Sequence, residues 1–139
     1  MAKCRVFSIE EGLKESVKDG LYLKHMFGRG VSVAVMKFVE KNGSALPAKS
    51  HWHGEEATLQ IKGACSVIEG EGDPSDPEFK VETGDAMIIP VELPHYGTNR
   101  FHEEGISLRL NVVYPPRKEY GPEDTVPYYP LKNREQTNA

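Results

Sequence analysis

The 139-residue sequence predicts an all-β domain, an antiparallel sandwich or barrel of about eight short strands. Three observations lead there. Several short segments are dense in β-branched and apolar residues, and the clearest alternate with period two, as a pleated strand requires. Turn residues separate them, and 13 glycines and 10 prolines are enough to supply the turns. No long stretch carries a helical period. The length suits one domain with a real core but not two.

Taken in order, residues 5–7 read as a short strand. Ser8 then caps a brief helix over residues 9–17, with Glu11 completing a capping box and Lys18-Asp19-Gly20 ending it. Leu21–Phe27 is extended and closes at Gly28-Arg29-Gly30. Residues 31–39 form a strand by composition, followed by a turn at Lys41-Asn42-Gly43-Ser44 and a proline-containing approach over 45–50. Residues 57–62 alternate strictly, Gly63 interrupts, and Ala64–Glu69 follows. Residues 70–77 are a loop because glycine, proline and aspartate each favour turns there. Residues 79–81 and Ala86–Ile89 are strands split by Thr83-Gly84-Asp85, and 90–94 is a turn. Residues 106–114 give the cleanest alternation in the chain. From Pro115 the sequence is proline- and tyrosine-rich, then polar. The expected organisation is an N-terminal arm over 1–30 packing on a barrel over 31–114, with an irregular tail over 115–139.

Charge narrows the partners. The net charge is −4, with acids and bases interspersed and no basic cluster, so nucleic acid is not an expected partner. No signal-like run opens the chain and no stretch is long enough to cross a membrane, so a cytoplasmic location is expected. In that compartment Cys4 and Cys65 are free thiols, with Cys65 a small buried hydrophobe.

The chemistry concentrates in His51-Trp52-His53-Gly54-Glu55-Glu56. On a strand, residues two apart point the same way, with Cα atoms about 6.6 Å apart. Two imidazoles at that spacing can share a metal ion, and imidazole with carboxylate suits several divalent metals. The plain alternative is a polar strand end with two solvated histidines. A second stretch decides between them. Gly84 is followed by Pro90, then by a Pro94-His95 pair and by Asn99.

Together the two stretches resemble the paired motifs of the cupin superfamily. The family's first motif has two histidines around one residue, a glutamate after three or four more, and a glycine after another six. Its second motif spaces glycine, proline, glycine, histidine and asparagine. His51, His53 and Gly63 match the first; Gly84, Pro90, His95 and Asn99 match the second. Glu92 replaces the second motif's middle glycine, which is tolerable where the backbone keeps a negative φ. Only Gly54 and Glu55 separate His53 from Glu56, one residue fewer than the family has. A straight strand would turn Glu55 inward with the histidines, whereas counting back from Gly63 selects Glu56. Glu56 is preferred, because a loop absorbs a one-residue deletion more easily than a strand register does. That choice puts Thr58 and Gln60 inside and Ala57, Leu59 and Ile61 outside.

The resemblance implies an antiparallel jelly-roll β-barrel in which His51, His53, Glu56 and His95 bind one divalent metal. Iron(II) is the first choice on family frequency, and manganese, nickel, cobalt or zinc are compatible. Thr58 and Gln60 are expected to contact substrate. On the last strand, apolar residues are expected to take the core face, leaving Arg109 and Asn111 in solvent. The competing reading puts Arg109 in the barrel mouth, clamping a substrate carboxylate. His25 and His102 read as packing or surface histidines. Trp52 is expected against an outer layer, and Tyr96 pointing away from the metal. The apolar face of Ala57, Leu59 and Ile61 needs a cover, either the N-terminal segment or a second copy. A homodimer is expected, with residues 120–130 packing across its interface.

These readings imply a metal-dependent enzyme acting on a small polar or acidic organic molecule, first an iron(II) dioxygenase. The alternatives are a redox-neutral lyase, decarboxylase or isomerase using the metal as a Lewis acid, and a ligand-binding barrel without turnover.

Overall fold

The computed structural model describes residues 2–39, 48–99 and 106–131. Among them are nine strands: β1 (Lys14–Val17), β2 (Leu21–Phe27), β3 (Ser32–Phe38), β4 (Glu55–Lys62), β5 (Ala64–Glu69), β6 (Glu78–Glu82), β7 (Ala86–Ile89), β8 (His95–Thr98) and β9 (Ser107–Tyr114). A 3-10 turn at Lys118–Tyr120 follows. Six strands form one sheet in the order β1-β2-β3-β9-β4-β7, and three form another, β6-β5-β8. Every strand pairing is antiparallel. No helix here is long and apolar enough to cross a membrane. The expected turn at residues 41–44 and His102 lie outside the described residues.

The N-terminus differs from expectation. Ser8 Oγ accepts the amides of Glu10 and Glu11 at 3.1 Å each, as a helix cap would, yet no helix follows. Gly12 takes φ +71°, and Lys14–Val17 pair with β2 instead. A helix of one or two turns gains too little to offset its nucleation, whereas a strand finds a ready edge. Residues 5–7 form no strand either. The arm is tied across the outer face of the large sheet: Lys24 Nζ donates to the carbonyls of Ser8 and Glu11 at 2.8 Å each and stands over the Phe7 ring. Lys62 pairs with Glu10 at 2.7 Å. Lys24 is the register partner of Val35, and Lys62 of Leu108, so the arm runs from β2 to β4. Beneath it Val35 is 0% and Leu108 2% exposed. Nearer β7 the cover ends, and Leu59 (43%) and Ile88 (64%) stay open to solvent.

The interior is divided by chemistry. One apolar cluster (Val17, Leu21, Leu23, Met36, Phe38 and Leu131) sits on β1–β3 and the tail. A second (Cys65, Val67, Val81 and Ile89) sits on β5–β7. Between them, the inward rows of β4 and β9 are polar and buried: Glu56, Thr58 and Gln60 on one, Ser107, Arg109 and Asn111 on the other. Arg109 is 6% exposed, so the expectation that it would be solvated is wrong. The alternation was legible but its facing was not. Apolar residues of β9 were assigned to the core, while Leu108 is buried on the opposite face, under the arm.

Residues 120–130 pack over their own barrel: Ala48 bridges Leu131, Lys49 N donates to Pro130 O at 2.7 Å, and Tyr129 packs on the first cluster.

Candidate metal centre

The chain reaches the site beside the small sheet and leaves it in the large one. His51 and His95 form an antiparallel bridge, with reciprocal amide–carbonyl bonds of 3.0 and 2.9 Å. His53 O accepts the Glu92 amide at 2.8 Å. Gly54 then bends the chain, and β4 begins at Glu55. A Cβ on Gly54 would lie 2.0 Å from the Tyr114 carbonyl oxygen, so the bend passes where only glycine fits. The two-residue count restarts after it. Glu56 therefore faces inward, 3% exposed, and Glu55 outward. The inward set Glu56, Thr58 and Gln60 is the one that choosing Glu56 requires.

Each of the three histidines has its ring held by a backbone carbonyl. Nδ1 of His51 faces Lys49 O at 3.1 Å, that of His53 Gly54 O at 2.7 Å, and that of His95 Leu93 O at 2.8 Å. A carbonyl only accepts, so Nδ1 carries the proton and Nε2 presents its lone pair. The ligand atoms of the three rings lie within 4.8 Å of one another. Among the described residues His53 Nε2 is buried without a hydrogen-bond partner. A carboxylate oxygen of Glu56 stands 3.9 Å from His95 Nε2. Three aligned lone pairs, one of them otherwise unsatisfied, and a buried carboxylate fit a divalent ion.

Burial, then the guanidinium of Arg117, pushes the His51 imidazole down to about 3. His53 and His95 are also lowered, first by burial. All three therefore stay neutral, as ligands must. The metal-free protein is expected to lose stability as pH falls from 6.5 towards 3. In that window the unfolded histidines bind protons that the folded ones refuse, so stability rises with pH and is lost on the acid side. Denaturant titrations in chelator from pH 8 to 4 check this; a midpoint that does not move below pH 6.5 contradicts it.

A cavity lies over the histidines, lined by Glu56, Arg109, Asn111, Arg117, Tyr120 and the tail segment Tyr128 to Pro130. Its free volume is about 20 Å³, near that of a single ordered water. An organic ligand enters only by displacing part of that lining. Arg109 crosses the cavity where β8 has Gly97; a Cβ there would meet its guanidinium at 2.9 Å. Among the described residues its hydrogen bonds run to sulfur, Cys65 Sγ at 3.5 Å and Met36 Sδ at 3.2 Å, and Nε has no partner. Thr58 donates to Asn111 Oδ1 at 3.2 Å, below the cavity. Gln60 lies deeper, its amide engaged by Lys62 O, Ser107 Oγ and the Cys65 thiol. The structure thus brings Arg109 to the histidines and leaves Thr58 and Gln60 off the cavity wall.

Arg117 was missed because it opens a proline-rich tail. Its amide donates to Ser32 Oγ at 2.9 Å, its Nε to Glu119 at 2.8 Å and its NH1 to the Tyr120 hydroxyl at 2.7 Å. The signal was local: a carboxylate and a phenol two and three residues on from an arginine.

Other residues are simpler. His25 is a packing histidine, with Nε2 near the carbonyls of Gly121 and Pro122. Cys4 and Cys65 are free thiols. Trp52 is 65% exposed rather than packed, because the residues around it leave the sheet. Glu92 takes φ +61°, not the negative φ its substitution for glycine was expected to need. Left-handed backbone costs a side-chain-bearing residue about 1–2 kcal/mol. Glu92→Gly is expected to stabilise the protein by about 0.5–1 kcal/mol, after glycine's greater unfolded-state entropy is subtracted. Chemical denaturation measures it, and a destabilised variant would contradict the strain.

No family model and no curated protein matches the sequence. Solved structures do match in fold. An RmlC-like cupin from Shewanella frigidimarina aligns with a TM-score of 0.63 at 14% identity, over 86% of this chain and 97% of that one. KdgF from Halomonas sp. aligns at 0.61 and 22% identity, over 84% and 96%. The iron(II) form of HppE aligns at 0.61 and 17%, over 80% of this chain and 60% of that one. The two-sheet architecture described above is that of the RmlC-like cupins, and this chain has the cupin fold.

Proposed function

We infer that the protein is a metal-dependent cupin enzyme acting on a small acidic organic molecule. His51, His53, Glu56 and His95 hold one divalent ion, and Arg109 receives an anionic group of the substrate. The observation that carries this is the set of three Nε2 lone pairs aligned by backbone carbonyls beside a buried carboxylate. When bound, the ion supplies Lewis acidity and, as iron(II), access to oxygen chemistry at the positions the four side chains leave open. The chain's own contribution is placement. Arg109, buried and hydrogen-bonded to two sulfurs, fixes an anion beside the ion; Tyr128, Tyr129 and Pro130 keep bulk water out.

Oxygen-dependent oxidation with iron(II) is the leading reading, and an iron(II) protein is among the structural neighbours. A redox-neutral reaction at a carboxylate is the alternative, favoured by Arg109, which orients an anion whether or not oxygen takes part. Metal analysis of protein purified without chelators, with oxygen-uptake and anaerobic assays on small organic acids, tests both. Iron with oxygen uptake supports the first, and anaerobic turnover with zinc or manganese the second. Absence of metal, with no change of melting in His51→Ala, would sink the centre itself. We also propose a homodimer through the uncovered face at Leu59 and Ile88, which light scattering checks.

A further inference from the structure

The geometry points to a substrate with two anionic groups, a small dicarboxylate, bound between Arg109 and Arg117; this rests on the metal-centre reading above. Both guanidiniums are buried and both line the cavity over the histidines. They come to it from different parts of the chain. Arg109 extends from the interior of β9 beside Gly97, and Arg117 descends from the segment beyond the end of β9. Glu56, in the same cavity lining, is the site's buried carboxylate.

The charge balance sets the class of ligand. Coordinated histidines are neutral ligands, and Glu119 offsets Arg117 through a 2.8 Å ion pair. That leaves Glu56 against Arg109 in the interior. A divalent ion would then add two positive charges that the described residues do not neutralise. Among the described residues Arg109 meets no oxygen acceptor, only two sulfurs, and its Nε is unpartnered. A buried guanidinium in that state is costly to maintain unless an anion meets it. Arg117 still has donors beyond those used on Glu119 and Tyr120. A monoanion would satisfy Arg109 and leave one positive charge, whereas a dianion balances the site; with a free volume of about 20 Å³ it enters by displacing the Tyr128–Pro130 lining.

The test uses the full chain loaded with cobalt(II), whose visible spectrum and measured content report first whether the ion is held. Succinate, propionate and uncharged succinamide are then titrated by calorimetry, with metal content rechecked after each. Succinate is expected to bind at least tenfold more tightly than propionate, and succinamide not to bind. Arg117→Gln should lower succinate to the level of propionate. Arg109→Gln should weaken both. Arg117→Lys, which keeps the charge, should restore most of the preference, separating charge from a folding defect. Cobalt held without a succinate preference, or a preference that survives both glutamine variants, overturns the dicarboxylate and leaves the metal centre standing. Failure to take up cobalt overturns the centre, and the dicarboxylate with it.

Discussion

Replacing Gly54 with alanine is expected to cost at least about 3 kcal/mol, a fall in melting temperature on the order of 10 °C for a chain of this size. The added methyl would stand 2.0 Å from the Tyr114 carbonyl oxygen and 2.5 Å from Pro115 Cδ. Neither is the free end of a flexible side chain, so relief must come from moving backbone. The backbone that moves is the link between His53 and Glu56 on one side and the end of β9 on the other. Stability and metal affinity should therefore fall together. Gly30→Ala is the control, because the nearest atom to its Cβ is 4.0 Å away. Chemical denaturation of the two variants decides the matter. A Gly54→Ala protein as stable as Gly30→Ala would show that the bend is not confined by contact with β9.

The same bend marks where sequence reading worked and where it ran out. Alternation, β-branched composition and turn residues together located seven of the strands, with alternation cleanest in β4, which is buried on one face only. The facing of β4 was recoverable too, since counting from Gly63 selected Glu56. The facing of β9 was not. Arg109 and Asn111 are inside because this interior carries buried polar rows, and the rule that apolar residues take the core inverts where the core is polar. Leu108 is buried as well, under an arm whose path depends on tertiary ties at Lys24 and Lys62. Such ties connect residues far apart in the chain and leave no local period. Ser8 shows the converse. Its cap-like bonds formed as predicted, and the helix they should have started lost to the edge of β2.

Glu56→Gln is expected to weaken divalent-metal binding about 100-fold or more, with Glu55→Gln leaving it unchanged. Losing a group that merely orients a ligand costs 10–100-fold, so loss of a charged ligand should not cost less. The pair is informative because the two glutamates are adjacent and differ only in facing: Glu55 is exposed, and Glu56 lies 3.9 Å from His95 Nε2. Competition against a chromophoric chelator gives both affinities. Equal losses would point to a general effect of charge near the site, and a larger loss in Glu55→Gln would place the ligand on the wrong face of β4. Stability of the metal-free protein should change little. Glutamine keeps the shape and relieves a buried charge beside neutral imidazoles, but it also removes the counter-charge of Arg109, and the two effects oppose each other. Weaker metal binding with unchanged or improved metal-free stability is the signature of a residue retained for the ion. A Glu56→Gln protein that is instead less stable without metal would mean that the carboxylate serves the fold, through a compensation within the polar rows of β4 and β9.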